Sequence, residues 1–455
     1  MAKSAVKDLT CGSPMKLILG FMLPLLLGML FQQMYNMVDT IVVGQYLGIN
    51  ALAGVGSTGS INFLVLGFVQ GVCAGFAIPV AQQFGSKNFE ALRKYVGNII
   101  WLAVVFAVVI SAATTLLCTN ILQWMGTPQD VFEEAHDYIS VIFLGIPVTF
   151  LYNILSGIIR SLGDSKTPVF FLILSSLLNV GLDIFMILVL GMGVSGAGWA
   201  TVIAQLISGV LCLIYMMKKF DILKLSKGDL KPERYYIAGL CSVGLPMGFQ
   251  YSITAIGSIL IQTAVNGLGS SVVASVTAGS KVSQLLCCPF DAMGSTMATY
   301  GGQNIGAGKL DRIKKGLFCC SILGCAYAVI GFVIILFFGG NISMMFINDT
   351  DGGDVGQILS LSRQFLVTNG AFYIPLAFVN IVRFLIQGMG FSQVALFAGV
   401  FEMVARGVVA LCFVPMFGFN AVCFANPLAW VFADIFLIPI FFRCYSVMKR
   451  RLAVY

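Results

Sequence analysis

Long apolar runs, separated by short polar breaks, recur along the whole of this chain. Most reach the roughly 20 residues that an α-helix needs to cross about 30 Å of hydrocarbon. The runs are continuous and not alternating, which favours helices over the strands of a membrane barrel. We therefore predict an all-α integral membrane protein with twelve transmembrane helices. Their approximate ranges are 15–43, 52–80, 95–118, 136–159, 168–190, 196–217, 236–265, 272–301, 316–338, 362–386, 394–416 and 421–443.

The second half of this pattern repeats the first. The matching pairs are Leu23-Pro24 with Leu245-Pro246, Leu47-Gly48 with Leu268-Gly269, and Gln83–Lys87 with Asn304–Lys309. Six spans per half is an even number, so the halves have the same orientation and form a parallel repeat. We predict an N-terminal lobe over 1–217, a cytoplasmic linker over 218–235 and a C-terminal lobe over 236–455. Two such lobes around a central cleft are typical of alternating-access transporters.

Composition and charge agree with a membrane protein. The chain is 58% hydrophobic and 10% charged, which is far outside the range of soluble domains. Lys and Arg are concentrated in alternate loops, with Lys87, Lys166, Lys309 and Arg383 as examples. The acidic residues of the opposite loops are Asp130, Glu133, Glu134, Asp137, Asp349, Asp351 and Asp354. By the positive-inside rule the basic loops and both termini are cytoplasmic, and the net charge of +7 gives no case for a nucleic-acid partner.

Two aspartates, Asp39 and Asp183, lie deep in spans one and five and have no counterpart in the second half. A carboxylate at the bilayer centre costs about 2.5–3.5 kcal/mol on insertion scales, so it indicates a functional site by default. Helical spacing places further polar residues on the same faces. They are Gln32, Tyr35 and Asn36 with Asp39 in span one, Asn179 with Asp183 in span five, and Thr201 with Gln205 in span six.

Two carboxylates among neutral oxygen and amide groups suit Na⁺ and suit a shared proton equally well. One charge that moves through about 100 mV supplies roughly 2.3 kcal/mol, enough for about a fifty-fold substrate gradient. The alternative is that the two acids only hydrogen-bond neighbouring helices. Pro24, four turns before Asp39, removes a helical hydrogen bond and is a candidate hinge.

The sequence resembles the multidrug and toxic compound extrusion family of transporters over nearly its whole length. The stretches that carry the resemblance are Pro24 through Val38-Asp39-Thr40 to Val43-Gly44, Leu47-Gly48, Ala51–Gly54, Gly85–Lys87, Gln303–Lys309 and Ile159–Pro168. The resemblance implies export of bulky, often cationic or amphipathic compounds in exchange for H⁺ or Na⁺. It also implies a monomer in the inner or plasma membrane, with no cofactor besides the coupling ion.

Two branches of this family differ in where the cation is held. One branch uses acids in spans seven and ten, where this sequence has Thr254 and Leu376. The other branch has a site in the N-terminal lobe. The residues that match this second site are Asp39, Asn179, Asp183 and Thr201. The resemblance therefore implies that these four residues hold H⁺ or Na⁺.

Other intramembrane polar residues have less defined roles. Candidates for the substrate cleft are Gln32, Gln33, Tyr35, Asn36, Tyr138, Asn153 and Gln205. Glu402 and Arg406 are one turn apart, which favours a self-neutralising pair over a substrate contact. Lys281, Asp291 and Asp434 can pair across helices or line the cleft, and the sequence does not decide between these. The thirteen cysteines show no metal-ligand spacing and are expected to pack as small apolar residues.

An ion-coupled exporter of drug-like compounds is the leading hypothesis, and the protein is not expected to be an enzyme. The sequence lacks a GxxxxGK[ST] phosphate loop, which disfavours ATP-driven transport. The first alternative is a flippase for lipid-linked or polysaccharide substrates in the same superfamily. The second is a membrane-embedded enzyme that uses the two aspartates as an acid pair, although no zinc-ligand spacing or Ser-His arrangement accompanies them.

Overall fold

The structure, a computed structural model, describes residues 7–344 and 355–453. The described residues form α-helices with short π-helical and 3-10 turns, and they contain no strand. The predicted all-α class is therefore confirmed. Asp349, Asp351 and Asp354, which contributed to the predicted charge asymmetry, lie outside the described residues.

The helices follow one another with few long connections. They are α1 (Pro14–Leu47), α2 (Ile49–Ser57), α3 (Gly59–Gly85), α4 (Phe89–Leu116), α5 (Cys118–Trp124), α6 (Phe132–Leu144), α7 (Ile146–Ser161), α8 (Lys166–Ile184), α9 (Gly193–Lys219), α10 (Arg234–Asn266), α11 (Ser270–Gly306), α12 (Leu310–Met344), α13 (Val355–Ala371), α14 (Tyr373–Gly388), α15 (Ser392–Val408), α16 (Val414–Phe417) and α17 (Phe419–Ala453). One π-helical turn, Phe185–Val189, extends α8, and a second, Val409–Phe413, extends α15.

Among the described residues, nine helices are long and apolar enough to cross a membrane, and two bent pairs raise the number to eleven. The bends are 47° between α6 and α7 and 52° between α13 and α14, so the predicted spans four and ten are not straight. Pro147 and Pro375 account for the breaks, because each lacks the N–H that would bond the carbonyl four residues earlier. The remaining predicted span is α11, which is less apolar because it carries Lys281 and Asp291.

The backbone itself repeats between the two halves. Left-handed glycines recur in the same order, as Gly48 and Gly269, Gly163 and Gly390, and Gly193 and Gly418. Each half also has one bent span and one π-helical turn. These irregularities correspond in order along the chain, so the repeat predicted from short sequence matches extends to the local geometry.

The chain forms two compact units. The first comprises the residues before Gly12 together with Leu23–Gly248, and the second comprises Gly12–Met22 with the residues from Phe249 on. In the first unit, helices α3, α4, α6 and α7 enclose a core rich in buried aromatic residues such as Phe76, Phe143 and Phe150. In the second unit, α11 packs against α12, α13 and α14.

The segment between α9 and α10 lies against α4 in the first unit. A Cβ at Gly97 would come within 2.0 Å of the Asp229 carbonyl oxygen, so this position needs glycine for the close approach. The Trp101 indole Nε1 donates to the Leu230 carbonyl at 2.7 Å. The Asp229 carboxylate accepts from the Ser226 backbone N–H and hydroxyl, both at 2.8 Å, and these bonds hold its pKa below the usual range. The segment is therefore bound to α4 at neutral pH.

A buried charge network lies in the second unit. Arg383 was expected in a cytoplasmic loop, and that expectation is wrong because α14 continues to Gly388 and keeps Arg383 inside the helix, 9% exposed. Its Nη1 donates to Glu402 Oε1 at 2.7 Å, while Arg406 Nη1 is 3.6 Å from Glu402 Oε2. Glu402 thus lies between two guanidinium groups, and Arg406 also donates from Nε to Asn426 Oδ1. The expected Glu402–Arg406 pair is one half of a three-residue network.

Substitution of Glu402 by Gln should destabilise the protein strongly. The change removes the carboxylate that lies between two buried guanidinium groups, and breaking a buried ion pair costs about 3–5 kcal/mol. Thermal unfolding in detergent should show a clear decrease in the midpoint. The control is Lys224→Gln, which breaks the exposed pair between Lys224 and Asp221 and should change the midpoint little. Equal midpoints for Glu402→Gln and the control would contradict a stabilising role for Glu402.

Candidate functional site

The loop before α8 fixes the helix that carries Asn179 and Asp183. Asp164 Oδ1 accepts from the backbone N–H groups of Lys166 and Thr167 at 3.0 and 3.1 Å, which caps the N-terminus of α8. Its Oδ2 accepts from the Tyr215 hydroxyl of α9 at 2.9 Å. Gly163 precedes this cap at φ +88°, and a Cβ there would meet the Lys7 carbonyl oxygen at 1.8 Å. Part of the stretch that carries the family resemblance therefore has a structural role.

Helices α8 and α9 are joined by hydrogen bonds between small side chains and backbone carbonyls. Ser175 Oγ donates to the Ala204 carbonyl at 2.7 Å, and Ser208 Oγ donates to the Phe171 carbonyl at 2.8 Å. Such bonds lock the axial position of two helices in an apolar environment. They fix Asn179 on α8 opposite Thr201 on α9, where Asn179 Nδ2 donates to Thr201 Oγ1 at 3.4 Å.

Asp39 and Asp183 come together in the first unit. Their carboxyl groups are close enough to interact directly, although one lies on α1 and the other on α8. Asp183 has no solvent exposure and Asn179 is 2% exposed, whereas Asp39 is half-buried. Asp183 lies two residues before the π-helical turn Phe185–Val189, a type of irregularity that is frequent at functional sites.

Four buried acceptor oxygens at this place have no hydrogen-bond donor within the described protein. They are Asp39 Oδ1, Asn179 Oδ1, Asp183 Oδ1 and Asp183 Oδ2. Two ionised carboxylates cannot donate a hydrogen bond to each other, so their contact requires a proton or another cation between them. The donor set is made only of oxygens, which fits Na⁺ as well as H⁺.

Two tyrosines extend the site. Tyr35, one turn before Asp39 on α1, is close enough to Asp39 and Asp183 for direct electrostatic interaction. Tyr138 of α6 is buried and close enough to Asp39, Asp183 and Tyr35 for direct electrostatic interaction. Gln33 is half-buried and Asn36 is exposed on the same helix. Of the seven predicted cleft residues, Tyr35 and Tyr138 therefore lie close to the acid pair.

A second polar cluster involves two of the other predicted residues, Asn153 and Gln205. Gln205 Oε1 accepts from the Thr149 hydroxyl at 2.9 Å, and Asn153 Nδ2 donates to the Thr149 carbonyl at 2.8 Å. Thr149 was missed by the sequence reasoning. It lies one turn before Asn153 on α7, and this one-turn spacing of polar residues inside an apolar span was the signal that could have identified it.

The remaining sequence candidates lie elsewhere. Pro24 is inside the uninterrupted helix α1. Thr254 is half-buried on α10, and Leu376 is buried on α14. Asp434 is 8% exposed in the second unit, and it interacts electrostatically with Glu402 and Arg383. Asp291 also interacts with Arg383, whereas Lys281 is exposed on α11.

Comparisons with known proteins agree with this architecture. The sequence model of the MatE family matches residues 24–185 and 246–412, which together are more than half of the chain. Probable multidrug resistance protein YoeA of Bacillus subtilis is 29% identical over 326 residues, which cover 69% of this chain and 70% of that protein. Probable multidrug resistance protein YpnP of the same organism is 28% identical over 379 residues, which cover 82% of each chain.

A solved structure has the same fold. It is described as the outward-facing conformation of a multidrug resistance MATE family transporter of the MOP superfamily. It matches with a TM-score of 0.89 and 22% identity, over 99% of this chain and all of the solved chain. Because the family model matches more than half of the sequence, the chain belongs to the MatE family of multidrug efflux transporters.

Proposed function

We propose that this protein is a secondary antiporter that exports drug-like, cationic or amphipathic compounds in exchange for H⁺ or Na⁺ by alternating access. The acid pair Asp39 and Asp183, with Asn179 and Thr201, holds the coupling ion. The single observation that carries the proposal is the group of buried carboxylate and amide oxygens that lack any donor.

The energetics of burial support an ion site over a purely structural role. An unpaired ionised group in a low-dielectric environment costs several kcal/mol, so a structural contact would be expected to pair each oxygen with a donor. Asp164 in the same unit shows this, since both of its oxygens accept hydrogen bonds. The acid pair lacks such donors, and a bound cation supplies the missing positive charge.

The named relatives and the acidic residues of the site support the proposed substrate class. Two relatives are named as multidrug resistance proteins, which supports export of small, structurally varied compounds. We also propose that the protein acts as a monomer in the plasma or inner membrane. The basic loops support cytoplasmic termini. No cofactor is needed besides the coupling ion.

The variants Asp39→Asn and Asp183→Asn should each lose coupled export. Asn cannot exchange a proton and lacks the negative charge that attracts a cation, while its size and hydrogen-bonding capacity leave the helix contacts intact. Export of a fluorescent cation from proteoliposomes, driven by proton and sodium gradients imposed separately, should fall at least about tenfold with the gradient that drives the wild type.

The matched control is Asp130→Asn, which removes an exposed acid outside the site. This control should export at the wild-type rate, and all three variants should unfold at similar temperatures. Wild-type export by both site variants would contradict the coupling assignment. Hydrolysis of a substrate without transport would instead support the alternative of a membrane-embedded enzyme that uses the acid pair.

Substitution of Pro24 by Ala tests the hinge. Ala restores a backbone N–H that can bond the Gly20 carbonyl and stiffens α1. We expect export to slow several-fold because α1, which carries Asp39, bends less readily. Pro246→Ala makes the same change in α10, which carries no acid of the pair, and is the matched control. Equal rates for Pro24→Ala and the wild type would rule out the hinge.

A further inference from the structure

Two adjoining surface pockets in the second unit share the side chain of Lys314, near the start of α12. One pocket, of about 490 Å³, is polar and includes Lys309, Arg312 and Lys449. The other, of about 650 Å³, continues along α12 and is lined mainly by apolar side chains. A basic pocket that leads directly into an apolar groove matches the two parts of a phospholipid, the phosphate headgroup and the acyl chain.

The apolar groove has the length of one membrane leaflet. Helix α14 packs against both α12 and α17 and contributes to the groove between them. From Lys314 to Cys325 the α12 helix rises about 16 Å, roughly half of the 30 Å hydrocarbon core. The lining residues include Phe318, Ile322 and Cys325 of α12, Phe378 of α14, and Ile438 and Phe442 of α17.

The polar pocket carries a net positive charge. Its basic side chains are Lys309, Arg312, Lys314 and Lys449, against the single acid Asp311. Arg312 is held rigidly, because its Nε donates to Asn304 Oδ1 and its Nη1 to the Gly12 carbonyl, both at 2.9 Å. Both of these acceptors are neutral groups, and they orient the guanidinium beside the pocket. The basic loops are the ones that the charge distribution assigns to the cytoplasmic side, where anionic lipids attract such clusters.

The first unit shows what the equivalent position binds. Lys87 and Gly308 both have a positive φ and occupy equivalent positions of the repeat. Arg93 of α4 and Lys314 of α12 each follow six residues later, so they are also equivalent. Arg93 Nε is 3.6 Å from the Asp229 carboxylate, so an anionic group from the segment after α9 occupies this place. The same segment continues along α4, where Leu230 bonds to Trp101.

The second unit differs at the residue that permits this contact. Gly97 lets the chain approach α4 closely, and its counterpart in register is Phe318, which is 67% exposed. A backbone segment cannot approach α12 in the same way, but an acyl chain can lie against the aromatic ring. We propose that this site binds an anionic phospholipid of the cytoplasmic leaflet, with the phosphate at Lys314 and Lys449 and one acyl chain in the groove.

Native mass spectrometry of the full-length protein, titrated in detergent with dioleoyl phosphatidylglycerol, measures this binding. Each basic residue near an anionic headgroup strengthens binding about fivefold, so Lys314→Gln/Lys449→Gln should weaken binding about thirtyfold. Lys315→Gln/Arg450→Gln removes the same charge from exposed positions of the same helices, and this control should bind like the wild type. Dioleoyl phosphatidylcholine should bind more weakly to the wild type.

The acyl-chain part of the site has its own test. Ser321→Trp fills the groove, and Phe318→Ser shortens its apolar wall at an exposed position where folding is not at risk. Both should weaken phosphatidylglycerol binding, while binding of inorganic phosphate stays unchanged. The proposal is overturned if Lys314→Gln/Lys449→Gln binds phosphatidylglycerol like the wild type. It is also overturned if Phe318→Ser leaves lipid affinity unchanged, since the acyl chain would then not lie in the groove.

Discussion

Hydrocarbon cannot solvate polar groups, so every polar atom inside the membrane must find a partner within the protein. Most of the buried polar side chains obey this constraint: serines bond backbone carbonyls across α8 and α9, and Glu402 lies between Arg383 and Arg406. Asp39 and Asp183 are the clearest exception in the first unit. Two ionised carboxylates so close together repel each other, and their unpaired oxygens are the basis of the proposed ion site.

The surrounding fold holds this exception in place. Asp164 caps α8, Ser175 and Ser208 fix α8 against α9, and the π-helical turn begins two residues after Asp183. In the second unit, counting from its own π-helical turn places Gly407 where the first has Asp183. The repeat therefore supplies the scaffold twice and the acid pair once, and the charges of the second unit are largely compensated among themselves.

The sequence predicted much of this arrangement because its signals are local. Apolar run length located the helices, and the energetic cost of a carboxylate in hydrocarbon singled out Asp39 and Asp183. Features that depend on contacts between helices were missed. Arg383 was placed in a loop because its partner Glu402 lies on another helix. The hydrogen bond from Thr149 to Gln205 forms only when α7 packs against α9, so the contact is not visible in the sequence. The bends after Leu144 and Ala371 were not predicted, because the long apolar runs indicated straight spans in spite of the prolines.

The most direct test of the central claim is ion exchange on substrate binding by the purified protein. A pH indicator in weakly buffered detergent solution measures proton release, and isothermal titration in sodium-free and sodium-containing buffer measures displacement of Na⁺. The wild type should release one of these ions when substrate binds, and Asp39→Asn/Asp183→Asn should release neither. Ion release of the same size by the double variant would show that the coupling ion is held elsewhere.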